Sequence, residues 1–230
     1  AIAQLVQHEG SSIDPKGRQK TAHAHSATFY EGGKKILVAD LGADKIFNYD
    51  YQPESNQVLK AATAPFIQTH AGSGPRHLAL QPKTGNIYCA EELSGTVSVY
   101  APDNKKFKLL QRTKMAEDSF SGENGAADIH ISHDGKFLYA SNRGTANQIS
   151  IFKINKDGTL TKIKVQSVLG IHPRNFAIDP SDNFLLVANR DTHDMVIFKR
   201  DRKTGLLEFT GRKIENDSPV CLKFTEALAD

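Results

Sequence analysis

The sequence predicts an all-β fold, a β-propeller built from four-stranded antiparallel blades. Three observations predict it. Four short apolar segments end alike on Ala39, Ala90, Ala140 and Ala188, spaced by 51, 50 and 48 residues. The apolar runs are five to seven residues long, rich in Val, Ile, Phe, Tyr and Leu, and bounded by turn residues. No stretch carries a 3.6-residue period long enough for a helix of more than two turns. A repeat near 50 residues holding four strands is the pattern of a propeller blade, whose single sheet buries its faces only against neighbouring blades.

Each unit reads in the same order. A first strand leads into a polar turn, at residues 31–34, 83–86, 133–136 and 180–183, where Gly-Gly and Asp-Gly supply hairpin chemistry. The second strand follows at 36–40, 87–91, 138–142 and 186–190. The third is expected at 45–51, 96–101, 148–154 and 194–199, and a second turn at 53–56, 103–105, 155–158 and 202–205. A fourth strand closes the unit, as at 160–165 and 206–212. Residues 1–6 read as an outermost strand and residues 220–224 as a first, inner strand. Both are partial blades, so the expectation is one propeller domain over 1–230 that forms the C-terminal part of a longer ring.

Composition narrows the class. The 230 residues carry a net charge of +3 with both signs interspersed, which is no nucleic-acid footprint. At 39% hydrophobic and 24% charged the chain is globular rather than disordered. Its longest apolar run, 184–188, is far short of the roughly 18 residues that span a bilayer, and no leader pattern opens the chain. Cys89 and Cys221 sit in apolar stretches and read as two buried, unbridged thiols, which suits a cytoplasmic setting.

In an antiparallel blade the start of strand one and the end of strand two lie at the same end. Two sets of polar residues therefore converge there. Before strand one come His23 and His25, Arg76 and His77, Asp128 and His130, and His172, Arg174 and Asn175. At the end of strand two come Asp40, Glu91 and Glu92, Asn142 and Arg143, and Asn189, Arg190 and Asp191. The opposite end receives only turn chemistry. Guanidinium forks suit a carboxylate or a phosphate, and a carboxylate or imidazole beside them can move a proton. Each residue also has a structural reading. His23 and His25, two apart, would face the same way on a strand and could hold a metal, but no further ligand sits at a recognised spacing. Arg76 and Arg174 could serve inter-blade ion pairs with Asp40, Glu91 or Asp191. Of Glu91 and Glu92 only one can face the channel. Asn142 and Asn189 could cap turns, and His130, inside strand one, reads as core.

The segments His23-Ala24-His25, Gly74-Pro75-Arg76-His77, 134–144 and 172–180 resemble the seven-bladed propeller lactonases, a family that includes bacterial 6-phosphogluconolactonase and the fungal carboxymuconate cyclase. The resemblance runs from about residue 10 to the end and implies seven blades. It also implies a site of His25, Arg76, Glu92 and Arg143 in one pocket, with His23, His77, Asn142, Arg174 and Asn189 as further substrate-binding candidates. Asp128 stands where many relatives carry Glu, with a shorter reach.

Two function classes follow. The first is an enzyme that hydrolyses 6-phospho-D-glucono-1,5-lactone, a small phosphosugar lactone of the pentose phosphate pathway. It would need no metal or organic cofactor, nucleic acid or membrane. Glu92 or His25 would be the base, and the arginines would hold the phosphate or the oxyanion. A lactonizing cyclase acting on a carboxymuconate is the alternative enzyme. The second class is a non-enzymatic scaffold, disfavoured by the lack of Trp and of a Gly-His…Trp-Asp repeat.

Overall fold

The computed structural model describes residues 2–14 and 17–225. Sixteen strands form four four-stranded antiparallel sheets, and no helix occurs among the described residues. The first sheet holds β1 (Ala24–Tyr30), β2 (Lys35–Asp40), β3 (Lys45–Tyr51) and β4 (Leu59–Gln68). The second holds β5 (Pro75–Leu80), β6 (Ile87–Glu91), β7 (Thr96–Asp103) and β8 (Lys106–Lys114). The third holds β9 (Ala126–Ile131), β10 (Phe137–Asn142), β11 (Gln148–Ile154) and β12 (Leu160–Ser167). The fourth holds β13 (Pro173–Ile178), β14 (Phe184–Asn189), β15 (Asp194–Arg200) and β16 (Leu207–Glu215). Strands follow sequence order in every sheet, the meander of a propeller blade. The four repeat alanines all lie on second strands, fully buried.

The chain divides into two compact units, Ala1–Arg112 and Thr113–Asp230. In the first, Leu37, Ile46, Leu78, Ile87, Cys89 and Tyr100 form the core. In the second, Phe137, Tyr139, Ile151, Phe176, Val187 and Phe198 are among the core residues. Alternation sends one side of each inner strand to these cores. Within each unit the two sheets meet along their first strands. Ser26 Oγ donates to Arg76 O at 2.6 Å, and the Asp128 carboxylate accepts from Phe176 N at 3.3 Å.

Three expectations need correction. Residues 2–6 and 220–224 form no strand, because a strand requires a backbone ladder and these segments have none among the described residues. Each is held by a side-chain amide instead. Gln4 offers its amide to Leu59, Nε2 to O at 3.0 Å and Oε1 to N at 2.8 Å, and Leu222 N donates to Asn175 Oδ1 at 2.6 Å. Both cysteines are free thiols, but only Cys89 is buried; Cys221 is exposed, since no ladder carries it into a core. Burial pushes the Cys89 thiol well up, with the Glu91 carboxylate adding to the shift.

Candidate active site

The site begins with an irregularity shared by the first strands. In β1, Ala24 pairs with Asp40 and Ser26 with Ala39, which leaves His25 as an extra residue. In β5, Pro75 pairs with Glu91 and His77 with Ala90, leaving Arg76. In β13, Pro173 pairs with Asn189 and Asn175 with Ala188, leaving Arg174. In β9, Ala126 pairs with Asn142 and Ile129 with Ala140, leaving Ala127 and Asp128. A bulge turns its extra side chain out of the pleat, and bulges concentrate next to active sites for that reason. The chain thus re-aims His25, Arg76 and Arg174 at one structural position of three blades, a position that Ala127 fills in the blade of β9, while Asp128 stands one residue on, at the position of His77 and Asn175.

In the first unit these residues meet. Arg76, 2% exposed, donates from Nε to Glu92 Oε2 at 2.8 Å. The other Glu92 oxygen accepts from Arg18 Nη1 at 3.0 Å. Arg76 Nη1 lies 3.2 Å from His77 Nε2, which accepts because a guanidinium has donors only. The His25 and His77 rings stand edge to face at 5.2 Å. Three of the four expected site residues, His25, Arg76 and Glu92, therefore belong to one cluster with His77.

The two adjacent glutamates part company. Glu91 is fully buried inside its sheet, where Oε1 accepts from Ser98 Oγ at 2.6 Å and Oε2 from Arg112 Nη2 at 2.7 Å. Successive residues point to opposite sides, so Glu92 is the one that reaches Arg76. His23 does not share the face of His25. It precedes β1, is exposed, and donates from Nδ1 to Thr21 O at 3.0 Å. The bulge at His25 breaks the alternation that would have aligned them.

In the second unit, Arg143 follows β10. Its Nε donates to Gly125 O at 2.9 Å, its Nη2 to Ala126 O at 3.3 Å, and its Nη1 lies 3.4 Å from His172 Nε2. Asn142 is buried and holds the loop beside it, accepting from Gly125 N at 2.9 Å. Asn189, also buried, donates to Asp194 Oδ1 at 3.0 Å. Asp128 accepts from His130 Nε2 at 3.0 Å and from Asn175 Nδ2, tying β9 to β13. His130 is not core: its side chain is 38% exposed and stands edge-on to Phe176.

His172 is pulled down to about pKa 4 by burial first, then by the positive charges of Arg143, Arg190 and Arg174, against the opposing Asp191. At neutral pH its imidazole is uncharged. Nε2 therefore accepts from Arg143, and Nδ1–H faces Asp191 Oδ2 at 3.4 Å. Sequence reasoning placed His172 among the converging polar residues without a role of its own and missed Arg18. Arg18 belongs to no local motif, and its link to Glu92 spans 74 residues.

The family model for seven-bladed β-propeller lactonases matches residues 1–224. The chain belongs to that family. A 6-phosphogluconolactonase of Formosa agariphila is 45% identical over 212 residues, 90% of this chain and 59% of that protein. The 6-phosphogluconolactonase of Bacillus subtilis is 33% identical, over 91% of this chain and 59% of its own length. The periplasmic gluconolactonase of Pseudomonas aeruginosa superposes with a TM-score of 0.90 at 38% identity, covering 96% of this chain and 61% of that structure. The chain thus spans about three fifths of the length of these relatives. Among the described residues, no helix is long and apolar enough to cross a membrane, and no three His, Cys, Asp or Glu side chains gather as a metal site.

Proposed function

We propose that the protein to which this chain belongs is a single propeller that hydrolyses 6-phospho-D-glucono-1,5-lactone to 6-phosphogluconate. The observation that carries the reading is the buried Arg76–Glu92 pair, set at a bulge beside His25 and His77. Lactone opening needs a base to activate water and donors for the charge that grows on the carbonyl oxygen. Water adds to C1, the bond from C1 to the ring oxygen breaks, and that oxygen takes a proton to become a hydroxyl. Glu92 gives one oxygen to each of two guanidinium groups, so in this reading it orients Arg76 and His25 is the base. Arg76 is the oxyanion donor of the first unit, and Arg143 is the candidate anion-binding guanidinium of the second. His77 and Arg174 are candidate substrate contacts, whereas Asn142 and Asn189 are buried and brace backbone, Asn142 at Gly125 N and Asn189 at Val168 O. The names and identities of the relatives support the same substrate. The two unbridged cysteines, Cys89 and Cys221, support a cytoplasmic setting.

The test is ring opening by the full-length protein, followed on 6-phosphogluconolactone and on unphosphorylated gluconolactone against spontaneous hydrolysis. Acceleration of the phosphorylated lactone is expected. No acceleration of either lactone ends the lactonase reading, and conversion of a carboxymuconate instead assigns the cyclase reaction.

A further inference from the structure

Two turns of this chain are equivalent, and only one of them contains a glycine. Gly74-Pro75-Arg76 leads into β5 and His172-Pro173-Arg174 into β13. In both, the residue before proline has a positive φ, +66° at Gly74 and +63° at His172. In both, its carbonyl accepts from the residue after strand two, Glu92 N at 2.7 Å and Arg190 N at 3.1 Å. In both, its amide donates to the residue before a third strand of the preceding blade, Asp44 Oδ1 at 2.7 Å and Asn147 Oδ1 at 2.8 Å. The backbone task is therefore identical, and glycine performs it without strain. An imidazole is tolerated in this region but costs more than glycine, the more so before proline. What decides whether the side chain has a task here is the set of contacts it makes.

What the imidazole does is visible in its contacts. Nε2 faces Arg143 Nη1 at 3.4 Å, and Nδ1 faces Asp191, which is itself gripped by Arg190 at 2.5 Å. Three elements supply the charges around it: Arg143 after β10, Arg174 on β13, and Arg190 and Asp191 after β14. We infer that His172 is a positioning residue, held in this turn so that its Nε2 fixes the guanidinium of Arg143 in the direction from which it meets substrate. The inference rests on the assignment of Arg143 to substrate binding. An uncharged acceptor steers Arg143 without neutralising it, which a carboxylate in the same place would do.

The experiment uses four variants of the full-length protein, His172→Gly, His172→Asn, His172→Gln and Arg143→Ala, with thermal melting and lactone hydrolysis measured on each. His172→Gly copies the sister turn, so its Tm should stay level or rise. Its kcat should fall at least 10-fold. His172→Asn tolerates the left-handed backbone but cannot reach Arg143, and should lose the same activity. His172→Gln restores a neutral acceptor at that reach and should recover most of it. In the Arg143→Ala background, His172→Gly should cost nothing further. A Tm drop in His172→Gly with turnover per folded molecule unchanged makes His172 a structural residue and overturns the inference. Full turnover in His172→Gly beside a loss in Arg143→Ala overturns it while sparing the proposed function. Full turnover in Arg143→Ala removes both Arg143 and His172 from the reaction. Should the parent protein open neither lactone, the function reading fails, and the inference that rests on it fails with it.

Discussion

Arg143 and Arg200 are both buried arginines of the second unit, at opposite ends of their sheets, and they are held in opposite ways. Arg200 has Asp182 Oδ2 at 3.0 Å and Asp134 Oδ1 at 3.6 Å as ion-pair partners. It donates to Tyr139 Oη at 2.7 Å and to Asp182 O at 2.9 Å, and it lies over the rings of Phe137 and Tyr139. Burial, only partly offset by Arg200, pushes the Tyr139 hydroxyl up to about 12, so it stays protonated and donates to Gly205 O at 2.8 Å. Together these contacts tie the turn before β10 to the turn before β14 and the turn after β15. Arg143 hydrogen-bonds to two main-chain carbonyls and an uncharged imidazole. Carboxylates enclose Arg200 and tie it into the fold, whereas the His172 imidazole steers Arg143 without adding a negative charge.

The comparison is broken most forcefully at Arg200. Arg200→Met should destabilise by about 3–5 kcal/mol, because it leaves Asp182 and Asp134 buried without their cation. Denaturant melts should show the loss while lactone turnover per folded molecule stays unchanged; a selective loss of turnover would put function at that end of the sheets.

Arg76→Ala comes next. It should lower kcat/KM by at least about 100-fold, or ~2.7 kcal/mol, the scale for losing one oxyanion donor. Its stability cost should be smaller than that at Arg200, because Glu92 keeps Arg18. Full turnover per folded molecule would return Arg76 to a purely structural ion pair.

Gly144 tests the backbone under Arg143. It has a φ of +64°, and a Cβ there would stand 2.2 Å from Glu123 O. Gly144→Ala should cost about 1–3 kcal/mol through that overlap and the left-handed strain, and should also move Arg143. Unchanged melting would mean that the loop at 123 yields freely.

The smallest effect is the pH dependence of stability. His172 binds its proton near pH 4 in the folded state and near the ordinary 6.5 once unfolded. Between these values the unfolded state holds more protons, so stability should rise with pH across that window and level off above it. His172→Gln should flatten that part of the melting profile; an unaltered slope would mean the imidazole is not pinned by its arginines.

Much of this molecule was written locally. Alternating Val, Ile and Tyr, the Asp-Gly and Gly-Gly turns, and a repeat near 50 residues sufficed for four sheets in the right order, because hairpins pair neighbours in sequence. The third strands at 45–51 and 148–154 follow directly from that pattern. The fork-bearing residues were also legible, since they recur at the ends of the same strands. Other decisions belonged to the tertiary structure. The bulges that turn out His25, Arg76 and Arg174 depend on register against a second strand, which no local pattern records. The choice between Glu91 and Glu92 was made by Arg112, Ser98, Arg76 and Arg18, reached over separations of 7 to 74 residues. Residues 2–6 and 220–224 carry strand-like sequence, but a strand exists only where a partner completes its hydrogen bonds. Local sequence fixes how a segment prefers to lie, and only packing decides which side chains it is brought to meet.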